Sequence, residues 1–195
     1  KALALVFCYN RGKVGVAMSR SQVVIVTGLS GAGKTSAMAV LEDLGYHCID
    51  HFPVNMIEYL IHDIAEERDP RYRRLALSVA SIDFDAFFKA FKNTDVTLQV
   101  LFLDASKEVL LRRYQDSNRH HPLLISNMAS SLEEAIDVEI HTLSALKVYA
   151  TIIIDTSHLK FSDLKKRIRR FFTSESKEYL SITFMSFTYR DGVPL

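Results

Sequence analysis

From Val23 onward, short apolar runs rich in β-branched residues alternate with stretches whose apolar positions recur every three or four residues. This alternation predicts an α/β fold: parallel strands joined by crossover helices that cover both faces of the sheet. The first run, Val23-Val24-Ile25-Val26, leads into a glycine-rich segment, and beyond it Ala37, Val40, Leu41 and Leu44 repeat at helical spacing. Gly45 stands where a left-handed residue ends such a helix. A second strand over 46–49 ends at Asp50, and Pro53 opens a helix reaching about Glu67. The third strand is expected over 75–82, ending at Asp83, and an aromatic-rich helix over 84–92 follows it. The fourth strand, 97–103, ends at Asp104, after which Ser106 caps a helix reaching about Asp116.

The segment 117–130 is polar and aperiodic, and reads as a mobile flap or lid. Ser131 with Glu134 forms a capping box for a helix to about Tyr149. A fifth strand over 151–154 ends at Asp155, and Leu164, Ile168, Phe171 and Phe172 line one side of a last helix. Residues 1–20 precede the organised pattern and read as an extra or disordered segment, with Met18 as the natural start. The nucleotide-binding domain is expected over 21–175. At the far end, Leu180, Ile182 and Phe184 alternate with polar residues ahead of the turn signal Asp191-Gly192, as if a truncated carboxyl-terminal domain began over 176–195.

The glycine-rich segment carries the chemistry. Gly28-Leu29-Ser30-Gly31-Ala32-Gly33-Lys34-Thr35 matches G-x-x-x-x-G-K-[ST] in full, between a strand and a helix, the context a phosphate-binding loop requires. Its glycines let consecutive N–H groups face phosphate oxygens, with the helix dipole behind them. Lys34 supplies a cation for the β and γ phosphates, and the Thr35 hydroxyl a ligand for Mg2+. The fold expected is therefore that of a P-loop NTPase of the small-kinase type. A strand-ending carboxylate completes the metal shell, with Asp83 or Asp104 on the metal side and Asp50 facing an acceptor or second ligand. Arg112, Arg113 and Arg119, in and before the flap, could close over transferring phosphates, or could lie on a solvated face beside Glu108 and Asp116. His120 and His121 read as polar residues of the flap. The basic run Lys160, Lys165, Lys166, Arg167, Arg169 and Arg170 reads as a solvated helix face, with contact to RNA as the alternative.

Bulk properties narrow the picture without redirecting it. A chain of 195 residues, 48% hydrophobic, is long enough for one well-buried domain. A net charge of +1 gives no argument for a nucleic-acid or membrane partner, and no apolar run approaches the roughly 18–20 residues of a membrane-spanning helix. Cys8 and Cys48 have neither metal-ligand nor C-x-x-C spacing, which suits a reducing compartment, and the cytoplasm is expected.

The order of motifs resembles the RapZ/YvcJ family of P-loop nucleotide-binding proteins over about 23–195. It rests on Gly28 to Thr35, on Leu41-Glu42-Asp43-Leu44-Gly45-Tyr46 leading to Asp50 and Pro53, and on Leu101-Phe102-Leu103-Asp104-Ala105. Further matches are Glu108 to Tyr114, Arg119, His121-Pro122-Leu123, Asp155-Thr156-Ser157, Thr183 to Phe187 and Gly192-Val193-Pro194-Leu195. The resemblance implies a cytoplasmic protein that binds ATP and GTP, hydrolyses them slowly and, in some members, serves as an RNA-binding adaptor for an RNase, with a further carboxyl-terminal domain carrying much of the RNA contact. A homo-oligomer is compatible with it. A second nucleotide motif of the family, D-x-R-[SN], aligns with Asp83-Phe84-Asp85-Ala86, where an acid replaces the arginine. The alternative enzyme class is a small-molecule or nucleotide kinase.

Overall fold

The computed structural model describes residues 21–80, 83–92, 94–117 and 119–173. The expectations for 1–20 and for 176–195 lie outside the described residues. Five parallel strands, β1 (Gln22–Gly28), β2 (His47–Ile49), β3 (Arg74–Ser78), β4 (Thr97–Asp104) and β5 (Ile152–Asp155), lie in the order β2-β3-β1-β4-β5. Among the described residues, seven α-helices connect or follow them: α1 (Lys34–Asp43), α2 (Ile57–Ala65), α3 (Phe84–Lys92), α4 (Lys107–Gln115), α5 (Pro122–Ile125), α6 (Leu132–Ser144) and α7 (Phe161–Phe172). The expected fold class is the observed one.

The central strand explains the layering. In β1, Val24 and Val26 face a core built with α1, α4, α6 and α7, while Val23 and Ile25 face a second core built with α2 and α3. All four side chains are fully buried, as a strand covered on both faces requires. Each such burial stabilises the fold by about 1.5–3 kcal/mol. Because β2 and β3 lie on one side of β1 and β4 and β5 on the other, the carboxyl end of β1 sits where the strand order reverses, the place where ligands bind in open α/β sheets.

Several boundaries differ from the sequence expectation. β3 ends at Ser78 instead of continuing toward Asp83. Its pairing with β1 ends at Val26 and Ser78, while β1 runs on to Gly28 against β4 alone, leaving the Val79 amide a last bond to the Val26 carbonyl at 3.1 Å. Asp83 therefore lies in the turn that opens α3, its amide bonded to Ala80 O at 3.1 Å. The helix after Ser131 tightens into a 3-10 turn at Ala145–Tyr149. The segment read as a mobile flap contains α5, whose N-cap is His121, fully buried against α4 and α6 rather than exposed. Gly45, at φ +82, ends α1 as expected, with its amide on Glu42 O at 2.8 Å and the Tyr46 amide on Leu41 O at 3.1 Å.

Candidate nucleotide site

The loop between β1 and α1 is shaped by its glycines. Gly28 has φ +126, and a Cβ there would stand 2.1 Å from the Leu103 carbonyl oxygen of β4. Only glycine lets the chain leave β1 this close to its neighbour. The Leu29 amide then bonds Leu103 O at 3.1 Å, and the Ala32 amide closes a turn onto Leu29 O at 3.0 Å. Gly33, at φ +104, is the N-cap of α1, and no side chain caps this helix. Its first amides are thus directed at the loop's concave side, where an anion gains from both hydrogen bonds and dipole.

A cavity of about 400 Å³ opens on that side, lined by the loop together with Asp50, Ser78, Arg113, Tyr114 and Arg119. Within it, Lys34 Nζ donates to the carbonyls of Gly28 at 2.7 Å and Leu29 at 3.1 Å. Burial pulls the Lys34 pKa below the ordinary lysine value, against the carboxylates of Glu139 and Asp50, which favour its charged form. Asp50, in the turn after β2, is held beside His51, with Oδ1 3.2 Å from His51 Nδ1.

Two anchors fix the loop from outside. Arg113 of α4 donates from Nη1 to Gly31 O at 2.9 Å and to Thr156 Oγ1 at 3.1 Å, and from Nη2 to Thr156 O at 2.8 Å. Thr156 in turn donates its hydroxyl to Ala32 O at 2.9 Å. On the other shoulder, Glu139 of α6 accepts from Ser30 N at 2.9 Å and from Ser30 Oγ at 2.8 Å. Burial alone would raise the Glu139 carboxyl. Hydrogen bonds from His121 and Ser30, with the Lys34 cation, outweigh it and hold the carboxyl below its ordinary range. Burial, with the Glu139 charge nearby, pushes the Tyr114 phenol up to about 12.

Beyond Arg113, a smaller cleft of about 250 Å³ runs along the outer side of the loop between Gly33, Thr156, Leu159, Phe161 and Leu164.

Residues 21–176 match the RapZ-like N-terminal domain. The chain belongs to that family. Its relatives include a nucleotide-binding protein of Vibrio parahaemolyticus, 35% identical over 179 residues that cover 89% of this chain and 61% of that protein. A nucleotide-binding protein of Staphylococcus aureus is 35% identical over 184 residues, 91% of this chain and 60% of that one. The chain thus spans about 60% of the length of these curated relatives. Among solved structures, a shikimate kinase from Acinetobacter baumannii in complex with shikimate shares the fold at a TM-score of 0.54 and 22% identity, covering 83% of this chain and 98% of that chain. A sugar kinase from Janibacter does so at 0.51 and 18%, covering 77% and 93%. The domain is a P-loop domain with the fold of the small kinases.

The structure brings together some of the residues singled out from sequence and separates others. Gly31, Gly33, Lys34, Thr35, Asp50, Arg113 and Arg119 share the loop's cavity. Neither Asp83 nor Asp104 lines it. Asp104 turns to Lys147, Oδ2 to Nζ 2.6 Å, and accepts from the Ala105 amide at 3.1 Å. The stretch Asp83 to Ala86 opens α3, where Phe84 is fully buried in the second core and Asp85 pairs with Lys89 at 2.6 Å. At the carboxyl end of β3 the cavity is met by Ser78, the position expected for an aspartate. The sequence reading passed over Ser78, Tyr114 and Glu139. Glu139 did leave a signal, a carboxylate in phase with Ala135, Ile136 and Leu143 on the buried stripe of α6.

Proposed function

We propose that this domain binds ATP and GTP with Mg2+ and hydrolyses them slowly, its nucleotide state serving regulation in a longer protein. The observation that carries this reading is the loop itself: an uncapped helix N-terminus, a glycine-shaped concavity and a half-buried lysine, fixed on both shoulders before any ligand arrives. The phosphates lie against the amides of Gly31 to Thr35, and Lys34 exchanges its loop carbonyls for phosphate oxygens. Such contacts read phosphates rather than bases, so both purines are accommodated. The cleft between Arg113 and Leu159 suits a flat, partly apolar ring.

The donor set fits Mg2+. That ion needs only one or two protein ligands beside phosphate oxygens and water, and Thr35 offers a hydroxyl and Asp50 a carboxylate on the same cavity. Bound there, the ion would neutralise charge between the phosphates. The chain's own part in catalysis is positioning and charge stabilisation by Lys34 and the loop amides, with Asp50 placed to orient an attacking oxygen.

In the full-length protein the nucleotide domain would serve an adaptor that binds small RNA and an RNase in the cytoplasm, as the family resemblance implies. No helix among the described residues is long and apolar enough to cross a membrane. A second reading, a small-molecule kinase, is favoured by the reach of the cavity past the loop to Asp50, Ser78 and Arg119, which leaves room for an acceptor. The fate of terminally labelled ATP and GTP separates the two: slowly released phosphate supports the regulatory NTPase, and label on a small metabolite supports the kinase.

A further inference from the structure

The buried polar groups around the loop converge on one carboxylate. Glu139 is 7% exposed, on a helix stripe otherwise made of Ala135, Ile136 and Leu143. Besides its two bonds from Ser30, its Oε2 lies 3.1 Å from Nε2 of His121, which is itself fully buried. The other ring nitrogen assigns the tautomer. His121 Nδ1 accepts the Leu123 amide at 3.2 Å to cap α5, so the proton resides on Nε2 and is donated to Glu139. Three donors therefore meet one ionised carboxylate: the Ser30 amide, the Ser30 hydroxyl and the His121 imidazole.

We propose that Glu139 is a positioning residue of the nucleotide site, tying the P-loop at Ser30 to the α5 segment at His121 so that the loop is preorganised for phosphate. The proposal rests on the reading of this loop as the nucleotide site. Packing alone does not call for a carboxylate there, since apolar residues of similar volume usually replace buried charges without loss. Ser30 lies between two glycines of positive φ, Gly28 and Gly31, where the backbone is otherwise least restrained. Holding that residue before the ligand arrives removes an ordering cost from binding.

Glutamine at position 139 tests this with little change in volume. Its amide nitrogen cannot accept, so the Ser30 hydroxyl must turn to accept from it, and the charge-assisted bonds from Ser30 and His121 become weaker neutral ones. His121→Asn is the complementary variant: asparagine is a good N-cap but too short to reach Glu139.

Calorimetric titration of the whole 195-residue chain with a non-hydrolysable ATP analogue and Mg2+ provides the readout. Wild type should bind and Lys34→Ala should not; failure of this control overturns the nucleotide reading and this proposal with it. With the control in place, Glu139→Gln should raise Kd about tenfold and His121→Asn at least threefold, both at unchanged stoichiometry. The double variant should bind no worse than Glu139→Gln alone, because residues in one network are non-additive. A purely structural role would lower the stoichiometry through a smaller folded fraction and leave Kd unchanged, and that result overturns the proposal. So do Kd values within twofold of wild type for both variants, or additive losses in the double variant. Should Glu139→Gln fail to fold, His121→Asn alone decides by the same criteria.

Discussion

Two glycines of positive φ give a matched test of how the loop is built. Gly45, φ +82, has open space where a Cβ would go, its nearest neighbour being Arg74 Nη1 at 3.6 Å, an ordinary contact. Gly45→Ala therefore carries only the backbone penalty, about 1 kcal/mol. Gly28, φ +126, carries a backbone penalty of about 1–3 kcal/mol and in addition drives a methyl to 2.1 Å from Leu103 O, with Leu103 N at 2.6 Å. Relief requires β1 and β4 to separate where the Leu29 amide bonds Leu103 O, a repacking of about 1–3 kcal/mol plus a lost hydrogen bond of about 1 kcal/mol. Gly28→Ala thus sums to about 3–7 kcal/mol, against about 1 for Gly45→Ala. At roughly 2–4 °C per kcal/mol for a chain of this size, Gly45→Ala should lower Tm by about 2–4 °C, and Gly28→Ala by at least 6 °C. Thermal unfolding followed by circular dichroism measures both. Equal Tm shifts for the two variants would refute the steric reasoning, since the neighbouring strand stands in the way of a Cβ at Gly28 and not at Gly45.

Other expectations follow from the same geometry. Arg113→Ala removes the donors to Gly31 O and to Thr156. After discounting for partial exposure it should cost about 1–2 kcal/mol and weaken nucleotide binding about tenfold, and Arg113→Lys should recover only part; unchanged affinity by titration would contradict the anchoring role. Burial, with Glu42 and Asp50 nearby, pushes the Cys48 thiol up to about 11, so at pH 8 it should alkylate far more slowly than an ordinary free cysteine, as peptide mapping of time-resolved iodoacetamide labelling would show. The Arg71 side chain and amide hold the partly exposed Asp69 carboxyl down to about 2. A depressed carboxylate stabilises the fold above its unfolded pKa, and that contribution is lost as pH falls from about 4 toward 2. Asp69→Asn should accordingly flatten the decline of the urea midpoint over that window; an unchanged slope would discount the pair.

What the sequence makes legible here depends on range. The P-loop is read from one contiguous segment because its function resides in backbone conformation, which glycine placement dictates. The strands announce themselves through β-branched runs, and Gly45 through its position after an apolar stripe. The end of β3 does not. Val79 and Ala80 are as apolar as the strand before them, yet pairing with β1 stops at Ser78, and β1 runs on to Gly28 against β4 alone. That single boundary puts Ser78 where an aspartate was expected and takes Asp83 into the turn that opens α3. Asp104 reads as a metal ligand until Lys147, 43 residues on, is found to hold it. His121 sits in a polar stretch, and only the fold brings Glu139 and Tyr114 around it.

The central claim is tested most directly by following terminally labelled ATP and GTP with Mg2+ and a pool of small metabolites, with Lys34→Ala as control. The account predicts that wild type binds both nucleotides and slowly releases labelled phosphate, and that Lys34→Ala does neither. Label transferred to a metabolite in a Lys34-dependent reaction would contradict it and establish a kinase.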